Sequence, residues 1–284
     1  MVGTYARAAA PLIPGASRLP FVGGGGGAMP DTVLRLDGAQ VDPGALARYN
    51  RVCGFRLADT LPATYPHILA FPLHMELMTA GDFPFPAVGL VHIENRIVQH
   101  RPIGVGETLG LTVRATPPED HPKGRQFTLV SEARVGGELV WEDFSTNLRR
   151  GKGSGEEKKS PSRKQPPPPS ADWKLDGGLG RRYAAASGDR NPIHMHDLSA
   201  KLFGFPRAIA HGMWTKARAL SALEGRLPDA YEVDVAFKKP ILLPATVTFG
   251  SESSGKTTRF TVRSRKDVPH LDGTVKLVKT RRKS

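Results

Sequence analysis

A chain of 284 residues is longer than one domain usually is and has room for two of roughly 100 to 150 residues each. Its 39% apolar and 24% charged residues suit a globular protein with a sizeable core, and no apolar run approaches the roughly 18 residues of a membrane span. The net charge of +13 would draw anionic partners, yet Lys152, Lys158, Lys159, Arg163 and Lys164 fall in a linker-like stretch and Lys276, Lys279, Arg281, Arg282 and Lys283 in the tail, so no specific nucleic-acid reader is expected.

In chain order, the N-terminal apolar patch is interrupted by Pro11 and Pro14, which makes a poor signal core. The Gly23 to Gly27 run has linker composition, and no Gly-Lys-Ser/Thr follows to make it a phosphate loop. Helical patterns over Pro43 to Val52 and Pro72 to Ala80 precede strand patterns at His92 to Val98, Thr108 to Arg114, Gln126 to Ala133 and Leu139 to Leu148. The single cysteine, Cys53, rules out an internal disulfide and points to a reducing, cytoplasmic location. KKSPSRKQPPPPS, Lys158 to Ser170, then divides the chain into residues 1–150, a basic proline-rich linker at 151–170, and residues 171–284.

The second part repeats the order. Pro192 to Phe203 reads as a short helix stopped at Gly204, and Gly212 to Glu224 as a longer one stopped near Gly225 and Pro228. Strands follow at Tyr231 to Phe237, Ala245 to Phe249, Arg259 to Arg263 and Thr274 to Val278. Two segments match directly: YNRVCG from Tyr49 with YAAASG from Tyr183, and HRPIGVGETLGL from His100 with KKPILLPATVTF from Lys238. Collinear matches of this kind indicate an internal duplication. Each half then predicts one long helix wrapped by a four-stranded antiparallel meander, two such units meeting at an apolar joint in an α+β architecture.

The chemistry concentrates in SGDRNPIHMHD, Ser187 to Asp197. Asn191 suits the N-cap and Pro192 the first helical position, which sets Asp189 in the preceding turn and His194 third in the helix. Such a carboxylate and imidazole can share one water as an acid-base pair; the plainer alternative is a turn followed by a surface histidine. AHGM, Ala210 to Met213, begins the next helix, where the Gly212 N–H can stabilise an oxyanion or merely open the helix.

Over Tyr183 to Met213, with S-G-D-x-N-P-I-H, G-F-P and A-H-G-M, the chain resembles the MaoC-like (R)-specific enoyl-CoA hydratases and (3R)-hydroxyacyl thioester dehydratases. Its two halves and proline-rich linker resemble the double-hotdog members of actinobacterial type. The resemblance implies a double hotdog, reversible hydration of trans-2-enoyl thioesters on coenzyme A or acyl carrier protein, and neither a redox cofactor nor a metal. It implies Asp189 and His194 as the dyad, Gly212 as the donor to the thioester oxygen, Asn191 ordering the dyad loop and Ser187 supporting it. His196 lies outside the motif.

Arg207, Lys238 and Lys239 are candidates to meet coenzyme A phosphates or an acidic carrier protein, with solvated surface charge as the alternative. After Gly54 the first half lacks G-D-x-N-P-x-H, so it is expected to keep the fold without the dyad and to shape a tunnel for medium to long or bulky acyl groups. Cys53 then reads as a small packed residue, and Asp59 with His67 is set aside as a second dyad. A hotdog thioesterase and a non-catalytic acyl-CoA sensor are the rival functions. Which dyad member is the base, and whether two chains pair as a homodimer, stay open.

Overall fold

The computed structural model describes residues 27–87, 89–155 and 165–278. The basic residues Lys158, Lys159, Arg163 and Lys164 of the linker, Lys279 to Lys283 of the tail, and Gly23 to Gly26 lie outside the described residues.

The first half runs β1 (Leu34–Ala39), α1 (Pro43–Cys53), α2 (Tyr65–Met78), β2 (Leu90–Gln99), β3 (Leu109–Ala115), β4 (Glu119–His121), β5 (Gly124–Val135) and β6 (Glu138–Arg150). The second runs β7 (Pro169–Leu175), α3 (Leu179–Ser187), α4 (Pro192–Met195), α5 (Asp197–Leu202), α6 (Gly212–Ser221), β8 (Tyr231–Phe237), β9 (Ala245–Ser254), β10 (Thr257–Ser264) and β11 (Pro269–Leu277). β7 begins inside the stretch read as linker.

Local chemistry explains the repeated Y-x-x-x-[CS]-G. Asp42 caps α1 by accepting from the Ala45 N–H, an interaction worth about 1 kcal/mol. Gly54, in the left-handed region at φ 83°, closes the helix with its N–H on Asn50 O. Gly188 ends α3 the same way, at φ 79° with its N–H on Ala184 O. The shared motif is one helix end used twice, and its tyrosines meet, Tyr49 and Tyr183 standing 6.2 Å apart between ring centroids.

All strands join one antiparallel sheet in the order β1-β3-β5-β6-β2-β8-β11-β10-β9-β7, with β4 beside β5. The order reads alike from either end. β2 and β8 form the seam, where Arg96 faces Asp234 and Ile97 faces Val233. α2 packs on β3 and β5, and α6 on β10, so each half wraps a helix as the double hotdog requires. The joint is apolar at Ile97, Val233 and Val235 and is tied elsewhere by polar bonds: Trp214 Nε1 donates to Val52 O at 2.9 Å and Ser221 Oγ to Cys53 O at 2.9 Å.

Several expectations need correction. The strands do not form simple meanders, because the first strand of each set, β2 or β8, pairs with the last, β6 or β11. Period-2 alternation specifies a buried face but not a neighbour. The helix expected from Pro72 starts at Tyr65 instead, with Pro66 in its first turn and Pro72 inside it. The single helix expected over Pro192 to Phe203 is two, broken at His196, whose extended backbone (φ −149°) ends α4 and precedes α5. α6 stops at Ser221, short of Glu224.

The halves differ most where the dyad loop lies. Leu61 N–H donates to Ile103 O at 2.8 Å, and its counterpart Ala210 N–H to Ile241 O at 2.9 Å; Val105 N–H donates to Asp59 O just as Leu243 N–H does to Ala208 O. The first half therefore passes from Gly54 to Asp59 directly, whereas the second inserts α4 and α5 between Gly188 and Ala208.

Candidate active site

The inserted loop is pinned from several sides. Asn191 caps α4, its side chain accepting from the Ile193 N–H at 3.4 Å, while the Asn191 N–H donates to Asp189 Oδ1 at 3.1 Å and the Asp189 N–H to Ser187 Oγ at 3.2 Å. Ala208 N–H donates to Asp197 Oδ1 at 2.9 Å and Ile209 N–H to Ile193 O at 3.1 Å, which closes the loop's far side. α3 lies so close that a Cβ on Gly180 would collide with the His194 carbonyl oxygen. Ser187 and Asn191 thus hold the turn that carries Asp189.

His194 is buried, not a surface residue. Its Nδ1 donates to Ile209 O at 2.8 Å, which fixes the tautomer and leaves the Nε2 lone pair for chemistry. Burial lowers its pKa, opposed by the nearby Asp189 charge and the bond to Ile209 O, so the neutral, proton-accepting ring is favoured. Ligand atoms of Asp189, His194 and His211 lie within 4.8 Å of one another. His211, to which the sequence assigns no role, stacks its ring on His194 at 3.7 Å between centroids, and its Nε2 donates to Asp189 O at 3.1 Å. The signal was its place immediately before Gly212. One nitrogen of each imidazole is engaged on a backbone carbonyl, which fixes the orientation of both rings.

Gly212 is the first residue of α6, its N–H at the positive end of the helix. A Cβ there would sit 3.1 Å from the Phe237 ring, so glycine lets that ring pack against the helix start. Ser187, Asp189, Asn191, His194, His211, Gly212 and Phe237 line one cavity of about 700 Å³ built from both halves. Lys238 and Lys239 are exposed at its wall, whereas Arg207 is exposed and outside its lining.

The same cavity reaches a polar cluster in the first half that sequence reasoning did not assemble. His67 Nδ1 donates to Asp143 Oδ2 at 2.9 Å, so its partner is Asp143 and not Asp59. Asn95 Nδ2 donates to Asp143 Oδ1, and Ser145 Oγ donates to Asp143 Oδ2 at 3.0 Å. Lys216, from α6, donates across the seam to Asn95 Oδ1 at 2.5 Å and Asn95 O at 3.1 Å, and within its own half to Val233 O at 3.2 Å; burial brings its pKa down to about 7. His74 Nε2 pairs with Ser131 Oγ at 2.7 Å. His67, His74 and Asp143 also group within 4.8 Å, but the carboxylate already accepts from three side chains. Cys53 is fully buried and burial pushes its thiol pKa up, which suits a packed residue.

Comparison with known proteins places this geometry in context. Residues 160–273, in the second half, match the MaoC like domain. The chain is 42% identical over 252 residues, covering 87% of it and 90% of the relative, to 3-hydroxyacyl-thioester dehydratase X of Mycobacterium tuberculosis. It is 27% identical over 192 residues to enoyl-CoA hydratase ChsH3 of the same organism, covering 63% of this chain and 66% of the relative. The crystal structure of HtdX of Mycobacterium tuberculosis superposes with a TM-score of 0.78 at 40% identity, over 87% of this chain and 100% of that one.

Proposed function

The chain belongs to the MaoC-like family of thioester dehydratases and enoyl-CoA hydratases, and from that premise we propose that it reversibly hydrates trans-2-enoyl thioesters to (3R)-hydroxyacyl thioesters in fatty acid metabolism. The observation that carries this reading is the pairing of His194, its Nδ1 tied to Ile209 O, with the Asp189 carboxylate at one cavity wall.

In the hydration direction Asp189 and His194 Nε2 each accept a hydrogen of the reacting water, which turns its oxygen toward C3. The water O–H bond breaks as O–C3 forms, and the π electrons move toward C2 and the thioester oxygen. The Gly212 N–H donates to that oxygen as charge develops, a contribution on the order of 10² in turnover. The proton taken by the pair is returned to C2 on the same face, so the pair ends as it began. Ser187 and Asn191 keep the carboxylate in place through the bonds of the turn.

The first half, without a dyad loop, forms the remainder of the cavity and takes the acyl chain. Lys238 and Lys239 meet the phosphates of coenzyme A or of a carrier-bound phosphopantetheine arm; Arg207, outside the lining, is not assigned that role. The buried free thiol of Cys53 is consistent with a reducing, cytoplasmic setting. No described helix is long and apolar enough to cross a membrane. Loss of ultraviolet absorbance from enoyl thioesters of graded length, on coenzyme A and on carrier protein, with chiral analysis of the product, tests this reading; release of free thiol instead would identify a thioesterase.

A further inference from the structure

The two halves fill equivalent interior positions with different chemistry. The pseudo-twofold passes between Arg96 and Asp234, which makes Asn95 the counterpart of Val233. Followed outward along the ladders, Ser145 corresponds to Val275, Asp143 to Gly273 and Ser131 to Phe260. The second half is apolar here, the Phe260 ring occupying the space that a side chain on Gly273 would need. The first half buries Asn95, Ser131, Asp143 and Ser145 at those places. Since the sister half fills these four places with Val233, Phe260, Gly273 and Val275, the sheet does not demand polar groups there, and burying them is unfavourable unless each is bonded.

What the network presents at the cavity wall is imidazole. Asp143 holds His67 by Nδ1, leaving Nε2 as the atom open to a ligand. His92 lies parallel to it, 6.5 Å away between centroids at an interplanar angle of 10°, and its buried Nε2 has no hydrogen-bond partner. Burial lowers the His92 pKa to about 4, and its remaining polar interaction is with the Glu94 backbone, so Nε2 is a bare acceptor at neutral pH. His92 stands 5.0 Å from Phe237, the ring packed on Gly212. The Phe237 ring thus neighbours both His92 and Gly212, and all of them line the cavity in which the proposed reading places the acyl chain.

We propose that His67 and His92 form a subsite that reads a hydroxyl group on the acyl chain away from the thioester, so that hydroxylated enoyl thioesters are preferred to plain alkyl ones. This rests on the hydratase reading above. A hydroxyl beside His92 satisfies its unpartnered Nε2, whereas an alkyl chain leaves that atom unsatisfied.

The test compares kcat/KM for a medium-chain trans-2-enoyl-CoA with that for the set of positional isomers of its monohydroxylated analogue, the hydroxyl at successive positions beyond C4, on the full chain and on His92→Phe. The proposal expects at least one isomer to exceed the plain substrate by about tenfold or more, and His92→Phe to bring that ratio close to one. Equal turnover of all substrates by the wild type, or a preference that survives His92→Phe, overturns it. Should His92→Phe fail to fold, the wild-type comparison still decides. Turnover of no substrate at all would overturn the hydratase reading together with the subsite, whereas equal turnover would remove the subsite alone.

Discussion

The imidazoles of His194 and His211 are stacked with 3.7 Å between their centroids, and His211 donates from Nε2 to the backbone oxygen of Asp189. One ring thus touches both members of the proposed dyad. Burial and the adjoining His194 lower the His211 pKa to about 3, which keeps it neutral and unsuited to carry the reaction's proton. His211→Phe preserves the stack and removes the bond to Asp189. It is expected to lower kcat by up to about 10²-fold with KM little changed and the melting temperature nearly kept, while His211→Gln, which restores a donor, recovers part of the loss. A fall confined to KM or to stability would remove the positioning role.

The pH dependence of activity follows from His194. Burial lowers its pKa, the neighbouring carboxylate partly offsets this, and only the neutral ring offers Nε2 to water. Activity lost on protonation therefore persists below the ordinary imidazole value of about 6.5. A kcat/KM profile whose acid limb turns above that value would contradict the assignment.

Stability should respond to acid through different groups. Burial lowers His74 to about 3, His92 to about 4 and His211 to about 3, so between about pH 6.5 and those values the unfolded chain binds more protons than the folded one. Stability falls as pH falls through that window, by about 1.4 kcal/mol per pH unit for each group fully titrating in the unfolded state. Urea unfolding midpoints from pH 7.5 to 4 would measure the slope, and a flat profile would refute it.

Asp143 is a separate test of the first-half network. Although burial pushes its pKa up, the bonded His67 and the charge of nearby groups hold it below the ordinary carboxylate range. Asp143→Leu leaves His67, Asn95 and Ser145 without their common acceptor and is expected to cost about 3–5 kcal/mol in urea unfolding at pH 7. A cost under about 1 kcal/mol would mean that the network reorganises freely.

Gly212→Ala probes the helix start. The added methyl meets the Phe237 ring at 3.1 Å, so this ring of the cavity wall must give by a few tenths of an ångström. Turnover is expected to drop about 10²-fold, and Phe237→Leu in the same chain to restore much of it by making room. An unimpaired Gly212→Ala enzyme would dissociate this amide from catalysis.

Much of the second half was legible because its decisive residues are local. Asn191, Pro192 and the glycine after Ser187 specify a turn and a helix start by rules that act over a few residues, and Asp189 and His194 ride on that turn. Strand neighbours were not legible, since alternation in Tyr231 to Phe237 says which residues are buried but not that β8 meets β2 and β11. β1 escaped notice because its burial pattern shows no alternation, both faces being largely exposed. Pro72 looked like a helix start and instead lies inside α2. The first-half cluster draws His67 from α2, Asn95 from β2, Asp143 from β6 and Lys216 from α6, so no short window contains it. One local sign existed: Asp143 and Ser145 continue the inward-facing alternation of Trp141, where apolar residues belong.

The most direct measurement is a kinetic cycle on the enoyl-CoA hydration assay with Asp189→Asn, His194→Gln and the double variant, each checked for native circular dichroism. If the two side chains hold one water as a unit, each single substitution lowers kcat by about 10²- to 10⁴-fold and the double is hardly worse than either. Near wild-type turnover in either single variant, or losses that multiply in the double, would contradict the account.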